Sequence, residues 1–249
     1  MDGLRTSVDG PIARVTLDRP EVRNAQTPAM WLELARFGAT LPDDVRVVVV
    51  TGTGTSFSSG IDLSEAASAF PELGARPAEE IHEVIAGYQA GFSWLRDPRF
   101  ISIAAVHGHA IGAGFQLALA CDLRVLTPEA QFAMREPSLG LVPDLGGTQP
   151  LVDLIGYSRA LEICATTRWV HADEAAQLGL ATLVVPVDQL AATVDDLVAA
   201  LVSPPVGAVR ETKKLLLGAP RRTYDEQLRA EREAQARRLS ALLAESSQA

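Results

Sequence analysis

Ile101-Ser102-Ile103-Ala104-Ala105-Val106-His107-Gly108-His109-Ala110-Ile111-Gly112-Ala113-Gly114-Phe115-Gln116 contains no Asp, Glu, Lys or Arg, and it passes from an apolar run into a glycine-spaced loop. The run Ile101 to Val106 reads as a strand buried on both faces. Gly114 to Ala120 continues as a helix, and Leu123 to Leu126 reads as a further strand. Strand, loop, helix and strand in that order predict an α/β core.

The same alternation extends towards the N-terminus. Ile12 to Leu17 is a short β-rich run that ends at the turn residues Asp18-Arg19-Pro20. Thr27-Pro28 opens a helix, with Thr27 as N-cap and Pro28 in the first turn. Val45 to Thr51 is almost unbroken in β-branched residues and predicts a second doubly buried strand, followed by a Gly/Ser/Thr-rich loop from Gly52 to Gly60. Beyond about residue 150 the pattern turns helical, with segments near 157–166, 172–179, 188–202, 205–217 and 223–244 separated by Gly and Pro signals. The chain therefore divides into an α/β core, 1–190, and a C-terminal helical region, 191–249. The last helix is long, highly charged and amphipathic, which predicts packing along one apolar stripe.

Composition narrows the function classes. The chain has 249 residues, 47% of them hydrophobic, enough for one substantial core. A formal net charge of −9 argues against non-specific nucleic-acid binding, which needs basic surface to neutralise phosphates. Cys121 and Cys164 both lie in apolar stretches and read as free thiols. No Cys-x-x-Cys or paired-His spacing points to a metal. Neither a signal-peptide pattern nor a bilayer-length apolar run is present, so a cytoplasmic protein without membrane insertion is expected.

Two loops follow strands and precede helices: Ser56-Phe57-Ser58-Ser59-Gly60-Ile61-Asp62-Leu63, and His107 to Gln116. In both, glycine allows backbone geometry and close ligand approach. N–H groups exposed at a helix start favour negative charge, and two converging on one oxygen make an oxyanion hole. Neither loop has the Gly-Lys-Ser/Thr of a Walker motif, the full dinucleotide fingerprint or a Gly-x-Ser-x-Gly elbow. A third stretch, Phe132 to Gln149, supplies two acids, Glu136 and Asp144.

Four stretches, in order and in spacing, resemble the enoyl-CoA hydratase/isomerase (crotonase) superfamily between Val8 and Leu217: Arg19-Pro20 with Arg23-Asn24-Ala25, Val47 to Leu63, Ala104 to Asp122, and Phe132 to Gln149 with its terminal Gly-Gly-Thr-Gln. The resemblance implies a crotonase-like (ClpP/crotonase) spiral of ββα units with a helical C-terminal trimerisation region, assembled as a homo-trimer or a dimer of trimers. It implies an acyl-CoA thioester as substrate, with no separate cofactor and no metal. Carried over by position, the N–H groups of Ile61 and Ala113 bind the thioester oxygen as an oxyanion hole. Ala25, Ser59, Gly60, Asp62, Leu63 and Gly112 line the CoA and substrate path, and Arg23 lies near the phosphates. Lys213 or Lys214 matches loosely a CoA-contacting lysine, although a solvated lysine is the plainer expectation.

Family hydratases use two Glu residues to hold a water. Glu136 matches the second, whereas the first is here Gln116, an amide that orients water but accepts no proton. In similar 3-enoyl-CoA isomerases the residue at the Glu136 position alone moves a proton from C2 to C4. At the position of Asp144, dienoyl-CoA isomerases and an aryl-CoA dehalogenase place a working Asp. The expectation is a double-bond isomerase with Glu136 as acid/base and Asp144 as second acid. A 2-enoyl-CoA hydratase in which Gln116 and Glu136 position water is the near alternative, and a non-catalytic acyl-CoA binder is the distant one. His107 and His109 are expected to be packed or hydrogen-bonded, and Phe92 and Trp94 to belong to the core. Ser64 to Gly91 is expected to vary with the acyl chain, with Ala66 to Ala78 mobile enough to gate it.

Overall fold

Four consecutive valines, Val47 to Val50, show how the sheet is built. Alternate side chains of a strand point to opposite faces. Val48 and Val50 accordingly join the larger hydrophobic cluster, and Val47 and Val49 join a second one on the other face. In the computed structural model, which describes residues 3–246, the chain begins with β1 (Gly3–Asp9), β2 (Ile12–Asp18), α1 (Pro28–Ala39), β3 (Val47–Gly52), α2 (Leu63–Gly74) and α3 (Ala78–Ser93). It continues through β4 (Ile101–Val106), β5 (His109–Ile111), α4 (Ala113–Ala120), β6 (Leu123–Leu126), β7 (Gln131–Ala133), α5 (Thr148–Ile155) and α6 (Tyr157–Thr166). The remainder is β8 (Val170–His171), α7 (Ala172–Leu178), β9 (Leu183–Val184), α8 (Leu190–Val202), α9 (Val206–Gly218) and α10 (Tyr224–Ser246).

A six-stranded sheet in the order β1-β2-β3-β4-β6-β9 is parallel except for the β1–β2 hairpin. A second, three-stranded sheet, β5-β7-β8, stands beside it. The chain spirals between them: β4 leads to β5 and then α4, and β6 leads to β7 before the turn to α5. Ser58 makes a parallel bridge to Ala110, so the loop after β3 enters the small sheet in the same way before α2.

α4 is buried along its whole length, with Gln116 its one polar side chain. It lies in the larger cluster with the Phe115–Phe132 ring pair, whose centroids are 4.7 Å apart. The predicted cap is present, with Thr27 Oγ1 accepting from the Met30 N–H. On the opposite face of the large sheet, Leu190, Val194 and Val198 of α8 cover Val47, Val49, Ile103, Ala105 and Val125. The 190/191 division thus falls at the start of a helix that packs on the sheet. α10 packs against α9, with Ala234 its one buried residue among those whose side chains are described.

The structure completes the sequence reading in some places and departs from it in others. Ala66 to Ala78 folds as α2 and the start of α3, with Asp62 capping α2 and α1 packed against α3. Close packing of that pair is fixed at Gly91, where a Cβ would stand 2.3 Å from the Trp31 carbonyl oxygen. Lys213 is buried rather than solvated, bonded to Asp122 at 2.6 Å and to the Phe100 carbonyl at 2.8 Å. Lys214 pairs with Glu211. Among the described residues no single helix is long and apolar enough to cross a membrane, and no group of three or more His, Cys, Asp or Glu residues is placed to hold a metal.

Candidate active site

The two glycine-containing loops meet because their strands are hydrogen-bonded to each other. Phe57 N–H donates to the His107 carbonyl, Ser58 N–H to that of His109, and Ile111 N–H to that of Ser58. One rung further, Gly60 and Gly112 turn with φ of 91° and 50°, the left-handed region that favours glycine. A Cβ on Gly60 would lie 2.7 Å from the Ile111 oxygen and 3.7 Å from the Ala113 nitrogen, so only glycine permits this approach. Gly60 carbonyl and Asp62 N–H are both occupied by Gln26, which aims the intervening Ile61 N–H the other way. Ala113 is the first residue of α4, where an N–H has no intrahelical acceptor. Among the described residues neither the Ile61 nor the Ala113 N–H donates a hydrogen bond within the protein.

Both groups border a cavity of about 760 Å³. Of the residues singled out in the sequence, Ala25, Ser59, Gly60, Ile61, Asp62, Leu63, Gly112, Ala113, Glu136 and Asp144 all line it. Two do not. Arg23 is exposed and outside the lining; its left-handed backbone instead presents a carbonyl to the Ser59 N–H at 2.8 Å. Gln116 is fully buried behind the cavity wall and so is not placed to hold a water in it.

What Gln116 does is fasten the acid loop. Its Nε2 donates to Glu136 Oε1 at 2.6 Å, while its Oε1 accepts from the N–H groups of Leu145 at 2.9 Å and Gly147 at 3.2 Å. The other Glu136 oxygen, Oε2, is buried without a hydrogen-bond partner. Glu136 lies against the oxyanion loop: a Cβ on Gly112 would stand 3.2 Å from Oε1 and 3.6 Å from Oε2. Burial is the largest influence on this carboxyl and pushes its pKa above the ordinary value, a direction that the nearby Asp144 charge reinforces and the Gln116 bond opposes. Burial likewise raises Asp144. Its loop is tied to α3 by Gln89 Nε2, which donates to the Asp144 carbonyl at 2.7 Å.

Asp62 is differently employed. It caps α2 through Ser64 and pairs with Arg19 at 2.9 Å, and the Ser64 hydroxyl foremost holds its carboxyl below the ordinary range. His107 bonds the Gly54 carbonyl and His109 the Ser56 hydroxyl, as expected of packed histidines. Phe92 is buried and Trp94 stacks edge-on between Phe37 and Phe100.

Most of the remaining cavity wall is apolar, and much of it lies in the Ser64 to Gly91 stretch that was expected to vary with the acyl chain, without individual residues being singled out. Trp31, Phe70, Leu73, Ile81, Ile85 and Tyr88 line it from α1, α2 and α3, and Leu141 and Val142 lie on the acid loop. Ile81, Ile85 and Tyr88 recur at helical spacing, so one face of α3 carried a detectable signal. The arrangement joins two unpartnered N–H groups, two carboxyls of raised pKa and an apolar chamber. It is suited to stabilising an oxyanion while a proton is moved between carbon atoms.

Residues 8–248 match the family model described as Enoyl-CoA hydratase/isomerase. The mitochondrial Delta(3,5)-Delta(2,4)-dienoyl-CoA isomerase of Rattus norvegicus is 40% identical over 189 residues, which are 73% of this chain and 58% of the rat protein. A Thermobifida fusca YX protein described as an enoyl-CoA hydratase, solved in complex with CoA, is 55% identical with a TM-score of 0.92 over 97% of this chain and 95% of that one. Its complex with acetoacetyl-CoA gives 55% identity and a TM-score of 0.91, covering 96% and 95%.

Proposed function

Because the chain belongs to the enoyl-CoA hydratase/isomerase family, we propose that it binds an acyl-CoA thioester, stabilises its enolate between the Ile61 and Ala113 N–H groups, and shifts a carbon–carbon double bond by proton transfer through Glu136. The observation that carries this reading is the position of Glu136. One carboxyl oxygen is held by Gln116, the other is buried and unpartnered, and the group adjoins the Gly112 turn that presents the Ala113 N–H.

A proton α to a thioester is a very weak acid in water. Two preorganised donors on the carbonyl oxygen lower the cost of the enolate, each contributing about 2.7–4 kcal/mol. With a 3-enoyl substrate, Glu136 as carboxylate takes a C2 proton and the electron pair spreads over C2, C4 and the thioester oxygen. Return of the same proton to C4 leaves the double bond at C2–C3 and regenerates the carboxylate. Burial favours a Glu136 basic enough to take the proton and acidic enough to give it back.

Asp144 lines the same cavity and adds a second acid, which suits a longer shift in which one group takes the proton and another donates one. The 40% identity to a dienoyl-CoA isomerase supports including conjugated dienes in the substrate set. The hydratase alternative loses its water-holding amide, since Gln116 is buried and engaged three times. Turnover of 3-enoyl-, 3,5-dienoyl- and 2-enoyl-CoA by the wild type and by Glu136→Gln tests the assignment. Isomerisation abolished with CoA-thioester binding retained is expected; water addition that survives Glu136→Gln would defeat it.

The same reading includes a homo-trimer or dimer of trimers. Leu239 and Leu242 on α10 are 53% and 48% exposed and supply apolar surface for it. Sedimentation of the full chain measures the assembly.

A further inference from the structure

Beneath the first glycine-containing loop lies a buried chain of three polar side chains, Trp31, Gln26 and Ser58, that no step of the proposed reaction uses. Gln26 and Ser58 have no solvent exposure, and Trp31 has 4%. Trp31 Nε1 donates to Gln26 Oε1 at 2.8 Å, Gln26 Nε2 donates to Ser58 Oγ at 2.9 Å, and Ser58 Oγ donates to the Asn24 carbonyl at 2.8 Å. Ser58 Oγ also accepts from the Gly60 N–H at 3.2 Å. A hydroxyl donates once and accepts twice, so Ser58 is saturated. An indole N–H only donates, which turns the Gln26 oxygen towards Trp31 and the amide nitrogen towards Ser58. The chain therefore has one direction. It starts in the cavity wall, where Trp31 stacks edge-on against Tyr88 at 5.2 Å, and ends at the peptide N–H immediately before that of Ile61.

Gly60 is where such support matters. With φ of 91° and no side chain, it is the residue of the loop about which the next peptide turns most freely, and that peptide carries the Ile61 N–H. Ser58 also abuts the start of α4, since a Cβ on Gly114 would stand 2.8 Å from the Ser58 Cβ. A core that needed only filling would be as stable with apolar side chains here, whereas a fully satisfied buried network specifies one arrangement. We propose that Gln26 is a positioning residue: through Ser58 it fixes the Gly60 turn and with it the Ile61 N–H, and through Trp31 it ties that orientation to the wall of the acyl cavity. The inference rests on the oxyanion role of Ile61 proposed above. Breaking the chain leaves the thioester bound but its oxygen poorly held, so the loss falls on kcat and not on KM.

Butyryl-CoA isotopically labelled at the thioester carbonyl carbon cannot isomerise, and its carbon resonance moves downfield when the oxygen accepts hydrogen bonds. That resonance and the dissociation constant are measured for the wild type, Gln26→Met, Trp31→Phe and the double variant, together with kcat and KM for a 3-enoyl-CoA. Gln26→Met keeps the side-chain length without the amide, and Trp31→Phe keeps a ring without the donor. Gln26→Met is expected to lose part of the downfield shift and about tenfold in kcat, short of the about 10²–10³-fold loss of a deleted donor, with affinity and KM within about threefold. Trp31→Phe is expected to reproduce part of the lost shift and to add nothing to it in the double variant, because both changes cut one chain. A full shift and full kcat in Gln26→Met, a raised KM with kcat unchanged, or independent losses that add in the double variant overturn the positioning role. Should Gln26→Met fail to fold, Trp31→Phe decides alone: a reduced shift supports the chain and a full one overturns it. A wild type that binds butyryl-CoA with no downfield shift overturns the oxyanion reading itself.

Discussion

Replacing Gln116 by Met keeps the length of the side chain and removes its amide. Gln116 Oε1 accepts from two main-chain N–H groups, at 2.9 Å and 3.2 Å, and the residue has no solvent exposure. The substitution leaves both donors buried and unsatisfied, at about 1–3 kcal/mol each, or about 2–6 kcal/mol together. With a urea slope of about 3 kcal/mol/M the unfolding midpoint falls by about 0.7–2 M. The second effect is on charge. Nε2 donates to Glu136 Oε1 at 2.6 Å and favours the carboxylate. Without it the Glu136 pKa rises further, the ionised base is lost at higher pH, and the acid limb of kcat/KM moves upward. Urea titration and a pH–rate profile on 3-enoyl-CoA measure both. An unchanged midpoint and an unmoved acid limb, with damage confined to water addition, would refute the fastening role and return Gln116 to holding water.

Three other substitutions separate the parts of the site. Ala113→Pro deletes one oxyanion donor at a helix position that tolerates proline; kcat is expected to fall about 10²–10³-fold, and a loss under tenfold would exclude that N–H from the chemistry. Glu136→Gln is expected to abolish isomerisation and to stabilise the fold at neutral pH. A carboxyl whose pKa is raised in the folded state keeps its proton to higher pH than in the unfolded chain, so native stability declines as pH rises from about 4.5 through the raised value, and the amide escapes that decline. Thermal unfolding of both proteins at pH 5 and pH 8 reads the difference, which must widen with pH. Lys213→Met removes the buried ammonium 2.6 Å from the Asp122 carboxylate, leaving it the Ser102 N–H and hydroxyl, and is expected to cost up to about 3–5 kcal/mol in denaturant unfolding without altering acyl-CoA affinity.

The central strands and helices were legible because their signals are local. Ile101–Val106 and Leu123–Leu126 are strands over the ranges that the apolar runs predict, and Tyr157–Thr166 is a helix over its predicted range. The small sheet was not legible, since β5, β7, β8 and the bridge at Ser58 are two or three residues or fewer and exist only through pairing with distant chain. In the site, glycine placement and resemblance singled out the two glycine-containing loops and both acids, which the structure brings to one cavity. Gln116 was given the wrong neighbours: its position on α4 was right, but a sequence does not show that two N–H groups some 30 residues on, Leu145 and Gly147, fold back to occupy its oxygen. Lys213 failed in the same way, because its burial is decided by Asp122 and Phe100, both more than 90 residues away.

The rungs joining residues 57–58 to 107–111 have a consequence for how this protein can change. Main-chain bonds, which every residue but proline can make, set the spacing of the two amides that face the cavity. Under the proposed function, exchanging Glu136, Asp144 or the apolar wall would redirect where protons travel and what fits inside, yet leave the two amides proposed to hold a charged oxygen in place. Reactivity here is separable from grip, so a new reaction is reachable by side-chain replacement alone.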